Sequence, residues 1–173
     1  MARRAEAAAE RLLAAHSITS LPVEPEMLAR AEGILVIRRK FEDADVSGIL
    51  FRDSSHHVIG VNSAHPLARQ RFTIAHELGH HALHPGRELI LDVPVRVNLR
   101  DKNSSTASDL EEIEANAFAA ALLMPAPLIR EQVSMLPAAS RREPDATATA
   151  LAKIFKVSTS ALNFRLINLG LTT

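Results

Sequence analysis

Arg69-Gln70-Arg71-Phe72-Thr73-Ile74-Ala75-His76-Glu77-Leu78-Gly79-His80-His81-Ala82-Leu83-His84 is the stretch around which the rest of the chain can be organised. Read as a helix, it sets His76 and His80 on nearly one face, where two imidazole nitrogens can reach a single metal ion while Glu77 flanks them. This H-E-x-x-H spacing is the one used by zinc hydrolases: a third protein ligand comes from elsewhere, and an open position carries a water whose pKa falls to about 7. Glu77 is then placed to take the proton of that water as it attacks a carbonyl carbon, and to pass it to the leaving nitrogen. A pentapeptide of this kind also arises by chance, with solvated or core-packed histidines, so its surroundings matter. Pro66 suits a first helical turn, and Phe72, Ala75, Leu78 and Gly79 keep apolar or minimal surface beside the histidines, as a helix buried under a sheet requires.

A third ligand would come from a second helix. Ser108 and Glu111 stand in the S-x-x-E spacing of a capping box, which predicts a helix start and gives Glu111 a structural task. From Ile113 to Met124 that helix is apolar nearly all round, so it must be largely buried. Glu114 falls inside this surface, between Leu110 and Phe118, and a buried carboxylate without a partner is too costly to keep. A divalent cation shared with His76 and His80 is the expected partner. Glu112 stands in reserve, and a buried ion pair with an arginine is the alternative explanation of Glu114.

Chain-wide properties narrow the classes. With 173 residues and 47% of them apolar, the chain can bury one sizeable core. Lys plus Arg and Asp plus Glu both number 20, a balance that speaks against nucleic acid backbone or an anionic membrane as the main partner. Cysteine is absent, so any metal ligand must be His, Asp or Glu, and no disulfide framework exists. Met1 to His16 is charged throughout and no later stretch is long and apolar enough to span a bilayer, so a cytoplasmic location is expected.

The wording Arg71 to His80, followed by Glu114-Ala115-Asn116-Ala117-Phe118-Ala119 and by Leu122-Leu123-Met124-Pro125, resembles the ImmA/IrrE family of metallopeptidases. The matching blocks lie between about Asn62 and Pro125, with weaker echoes at both ends. Members resemble gluzincins and relieve repression by cleaving a helix-turn-helix repressor that is often encoded beside them. The resemblance implies a zinc-type metallo-endopeptidase linked to transcription regulation or stress response. Its ion would be Zn2+, or Mn2+ or another divalent first-row metal. It places the ligands at His76, His80 and the glutamate of Glu-Ala-Asn, Glu114, with Glu77 as general base and then acid. One departure stands out: gluzincins commonly steady the oxyanion with tyrosine or histidine, and this chain has no tyrosine. The donor would then be a histidine, an arginine, a backbone amide or the metal alone, with Arg69, Arg71 and Arg96 as candidates.

In chain order, Ala5 to Ala15 reads as an alanine-rich helix, and Glu26 to Ala31 as a short helix closed by Gly33. Ile34 to Ile37, Val46 to Phe51 and Val58 to Val61 are β-branched runs joined by short turns. The expected fold is α+β and zincin-like: a small, mainly antiparallel sheet on the H-E-x-x-H helix, with an exposed edge that could hold an extended substrate. His56, His57 and His65 fall in turns and read as surface residues; His81 and His84 read as structural or as neighbours of the ligands. Pro85-Gly86 stops the motif helix, Leu89 to Leu99 looks extended or irregular, and Arg100 to Ser108 reads as an exposed loop near the cleft. Residues 1–125 are expected to form the peptidase core and 126–173 a helical part packed on it. The run Leu151 to Leu166 resembles a helix-turn-helix with Val157-Ser158 in the turn.

Asn163, Arg165 and Asn168 give that last helix few groups for reading bases, which weighs against direct DNA binding. The expected partner is a protein substrate, a repressor or antitoxin encoded nearby, with no membrane involved. Two other functions stay open: a non-catalytic, transcription-linked binding module acting through the C-terminal helices, and the toxin half of a toxin–antitoxin pair.

Overall fold

A computed structural model describes residues 2–86, 88–92, 105–137 and 144–171. The chain enters through α1 (Ala2–Ala15) and α2 (Pro25–Ala31). Three strands follow, β1 (Leu35–Arg39), β2 (Gly48–Arg52) and β3 (His57–Asn62), and lead into the motif helix α3 (Leu67–Leu83). Beyond it come β4 (Leu89–Asp92), α4 (Ser105–Leu123), α5 (Ala126–Met135), α6 (Pro144–Phe155) and α7 (Thr159–Asn168). The architecture is α+β.

The sheet runs in the order β1-β3-β2-β4. β2 pairs antiparallel with both β3 and β4, whereas β1 pairs parallel to β3. The sheet is thus mainly antiparallel, as expected, but the first three strands are not a simple meander. A short loop closes β2 onto β3: Asp53 accepts at 2.7 Å from the backbone amides of both Ser55 and His56. The link from β1 to β2, residues 40–47, is longer, and it leaves a gap one strand wide that β3 fills.

Leu50, Ile59 and Val61 point from the sheet onto Ile74, Ala75 and Leu78 of α3, all within one apolar cluster. Burial of this kind is worth about 1.5–3 kcal/mol for each large side chain, so it fixes which face of the sheet meets the helix. The closest approach is at Gly48, where an added Cβ would overlap the Thr73 Cγ2 methyl and come within 2.9 Å of Glu77 Oε1. On its other flank α3 lies against α4, and here too a glycine sets the separation. A Cβ on Gly79 would stand 3.1 Å from both Cα and O of Ala115. α4 is in turn covered by α1 through Ala5, Ala8, Ala9 and Leu13, all buried.

The same cluster continues into Ile129, Leu151, Phe155, Leu162 and Leu166, so the last three helices share the core of the first part. Arg165 of α7 is buried; it donates from Nε to the carbonyl of Met124 at 3.1 Å and pairs with Glu6 of α1. Ser158 caps α7 by accepting from the amide of Ala161 at 3.1 Å.

Two local expectations change. α4 begins at Ser105, so Ser108 lies about a turn inside the helix rather than at its cap, and residues 105–108 are not loop. The serines, Thr106 and Ala107 ahead of Asp109 carry nothing that forbids helix, and the helix runs through them. Val93 to Leu99 and residues 100–104 lie outside the described residues.

Candidate metal centre

α3 supplies His76, Glu77 and His80, which are 3%, 0% and 1% exposed. Their burial follows from the sheet above and α4 beside them. The two Nε2 atoms face each other at 3.0 Å. Glu112 of α4 closes the group, with one carboxylate oxygen 3.2 Å from His76 Nε2 and the other 3.1 Å from His80 Nε2. The Gly79–Ala115 contact makes this possible, because it lets α4 press close enough to α3 for the carboxylate one turn earlier to reach the histidines.

The chemistry of this set can be read from its hydrogen bonds. Asn116 Oδ1 lies 3.1 Å from His76 Nδ1, so that nitrogen carries a hydrogen and the Nε2 lone pair points inward. Two imidazole nitrogens and a carboxylate converging on one point form a donor set that suits a cation. Four ligands about 2.0–2.1 Å from a tetrahedral ion stand roughly 3.3–3.4 Å apart, close to the separations seen here. Among the described residues His76, His80 and Glu112 are the one cluster of three such groups with ligand atoms mutually within 4.8 Å. Burial pushes the Glu112 carboxyl up, but the two imidazoles against it prevail and hold it at about 2. His80 is lowered by burial, with Glu112 partly opposing. A carboxylate and neutral imidazoles are the states in which such groups bind a divalent metal, and the residues fit one.

Glu114, the glutamate expected at the ion, is placed elsewhere. Its carboxylate accepts from Arg4 of α1 at 3.1 Å and meets His84 Nε2 at 3.1 Å. His84 in turn lies 3.2 Å, Nδ1 to Nδ1, from His80. Residues two apart on a helix are turned by about 200° from one another, so Glu112 and Glu114 cannot both face α3 alike. The buried Glu114 carboxylate has Arg4 and His84 as its neighbours. The sequence did hold a signal for Glu112: it lies four residues before Asn116, on the same face, so that one helical stripe carries both the carboxylate of the cluster and the amide beside His76. Nothing local pointed to Arg4.

Glu77 is buried beneath β2 at Gly48, next in the chain to His76. The C-terminal carbonyls of α3 are held by two guanidiniums, Arg4 on Leu83 O and Arg52 on His84 O, which favourably oppose the negative end of the helix. His81 faces His57, with Nε2 2.9 Å from Nδ1, and is lowered by burial and then by His57 and Arg52. His56 is exposed, and His65 lies 3.1 Å from the carbonyl of Ala44; neither approaches the centre. Of the arginines considered for the oxyanion, Arg71 is committed to Glu24 and Val23 O, Arg69 donates to Ser47 Oγ at 2.7 Å, and Arg96 lies outside the described residues. A cavity of about 580 Å3 opens beside the centre, lined by Phe72, Asn116, Ala120, Met124, Val157 and Phe164 among others.

The profile of the family described as the IrrE N-terminal-like domain, a peptidase family, matches residues 29–167. The radiation response metalloprotease IrrE of Deinococcus radiodurans is 36% identical over 118 residues, 66% of this chain and 32% of that protein. The protein of the same name from Deinococcus deserti is 42% identical over 78 residues, 44% of this chain and 26% of that protein. The matches thus span a third or less of these curated relatives. A solved structure of a Mycobacterium tuberculosis transcriptional regulator superposes with a TM-score of 0.63 at 18% identity, over 95% of this chain and 46% of that one, and so shares the fold.

Proposed function

The chain belongs to the family of IrrE N-terminal-like peptidase domains, and from that premise we propose that it is a metal-dependent endopeptidase which cuts one specific regulatory protein. The observation that carries this reading is the convergence of His76 Nε2, His80 Nε2 and the Glu112 carboxylate at 3.0–3.2 Å, with the buried Glu77 alongside. His76, His80 and Glu112 would hold the ion, zinc by preference. When bound, it supplies Lewis acidity and brings the pKa of a water to about 7. Glu77 takes a proton from the attacking water, holds it while the carbonyl carbon gains its new C–O bond, and delivers it to the amide nitrogen as the C–N bond breaks. Asn116 keeps the His76 lone pair aimed inward throughout.

The sheet offers a place for the substrate backbone. Among the described strands β1 and β4 are the edges, and β4 pairs with β2 at Gly48, the residue that rests over Glu77. An extended peptide adding to β4 would lie along the rim of the centre, and the apolar cavity beside Asn116 would take one of its side chains. The substrate we favour is a helix-turn-helix repressor or antitoxin encoded nearby, cleaved in the cytoplasm. No single helix is long and apolar enough to cross a membrane among the described residues. Direct DNA reading by α7 has little support, since Arg165 is turned into the core and the helix presents Phe164 and Ile167 instead.

The test is Glu77→Gln with the neighbouring helix-turn-helix protein as substrate. The variant keeps its metal content and loses cleavage, because the ligands remain and only the proton carrier is gone. Cleavage at the wild-type rate overturns the mechanism. Brisk digestion of unfolded casein by the wild type would overturn the claim of a single regulatory substrate.

A further inference from the structure

We propose that the cavity beside the metal centre is the specificity pocket for a large apolar side chain next to the cleaved bond, and that α7 serves as its outer wall. The inference rests on the reading of His76, His80 and Glu112 as the metal centre. On α3, Ala68 and Phe72 precede His76 at four-residue steps; on α4, Asn116, Ala120 and Met124 follow Glu112 in the same way. Side chains four apart share a helix face and rise by about 6 Å per step, so both stripes lead from the cluster into the cavity. The joint is close: Asn116 Oδ1 lies 3.1 Å from His76 Nδ1, and the ring centroids of Phe72 and His76 are 6.4 Å apart. Because both stripes start at the metal residues, the occupant that fits is part of a chain lying over them rather than a separate small molecule.

The far wall comes from the last helix and the turn before it, through Val157, Ala161 and Phe164. Arg165, beside Phe164, donates to the carbonyl of Met124 at 3.1 Å and ties this wall to α4. Polar groups around the space are engaged with the protein itself: Arg69 donates to Ser47 Oγ, Ser158 Oγ accepts from the amide of Ala161, and the Asn116 oxygen faces His76. Most of what remains for an occupant is apolar surface, and Phe164 is 67% exposed. At about 580 Å3 the cavity falls within the roughly 300–1,000 Å3 of ligand sites, more than one side chain fills, so it selects on polarity rather than on size. A leucine, methionine or phenylalanine of the substrate would leave water there against Phe72, Met124 and Phe164. The C-terminal helices thereby belong to the substrate site, and α7 acts by position without reading bases.

The experiment reads the pocket with and without metal. N-acetyl-phenylalanine methylamide, titrated into the metal-free chain, should shift the resonances of Ala68, Ala120, Met124, Val157 and Ala161, and bind at least roughly tenfold more tightly than the glycine analogue. Phe164→Ala should weaken it several-fold with the thermal midpoint unchanged, since that ring is mostly in water; Ala161→Glu should abolish it. In the zinc-loaded chain phenylalanine hydroxamate should bind at least roughly tenfold more tightly than glycine hydroxamate, and Phe164→Ala should shrink that ratio. The pocket is overturned if the phenylalanine probe shifts none of these resonances or binds no better than the glycine one. The role of α7 is overturned if both variants bind the probe like the wild type. Equal affinities of the two hydroxamates would show a cavity unconnected with the metal, and would overturn its part in specificity. A chain that takes up no zinc refutes the metal centre and this proposal together, whereas zinc uptake without probe binding overturns the pocket alone.

Discussion

Replacing Gly79 by alanine would put a methyl group 3.1 Å from Cα and O of Ala115 and 3.2 Å from Cβ of Phe118. Carbon atoms pack comfortably at about 3.5–4.0 Å, so α4 would have to withdraw by several tenths of an ångström. Two of the three atoms met are backbone, which cannot swing aside as the end of a long side chain can. Overpacking of this kind costs about 1–3 kcal/mol. Alanine is a better helix former than glycine by about 0.8–1.0 kcal/mol, which offsets part of it. The net expectation is a loss between about zero and 2 kcal/mol in urea unfolding of the metal-free protein. Metal binding is the sharper readout. Glu112 rides on the helix that must withdraw, and its oxygens sit only 3.1 and 3.2 Å from the histidine nitrogens. Zinc affinity should therefore fall even where stability barely changes. A variant that is more stable by about 1 kcal/mol and binds zinc as tightly as the wild type would refute the view that this contact sets the site.

Three other expectations follow from the same geometry. Gly48→Ala collides with Thr73 and nears Glu77, so turnover should drop and stability should fall by about 1–3 kcal/mol; adding Thr73→Ala, which removes the struck methyl, should restore part of both, and no restoration would count against the collision. Arg165→Met leaves the carbonyl of Met124 and the Glu6 carboxylate without this donor, and should cost about 1–3 kcal/mol and speed limited proteolysis after Met124; unchanged digestion would mean that α7 is held by apolar packing alone. Asp53 titrates at about 2 rather than 3.8, chiefly because the amides of Ser55 and His56 donate to its charged form. Its support of the β2–β3 turn is therefore full above 3.8 and fades as the pH falls towards 2, which carboxyl NMR can follow; titration near 3.8 would show the turn to be open.

What the sequence made legible was local. His76, Glu77 and His80 lie within one turn or so of each other, and the period of the helix alone brings them to a common face. The strands were legible for the same reason, as short β-branched runs between turn residues. Pairing was not, because the parallel register of β1 on β3 depends on the span of the link between β1 and β2 rather than on any residue in either strand. The choice between Glu112 and Glu114 was not legible in the sequence. Burial of Glu114 was inferred correctly, at 7% exposed, but burial does not name its partner, and the arginine that pairs with it is 110 residues away. The apolar surface argument also overreached at the solvent side of α4, where Leu110 and Ile113 are 41% and 54% exposed.

Asn116 has two neighbours of different kinds. Its amide oxygen steadies His76, and the residue also forms part of the wall of the 580 Å3 cavity. Whatever settles into that chamber touches the residue that orients His76. A guest that displaces Asn116 would free that imidazole to turn, so on the proposed reading recognition and chemistry would share one small side chain.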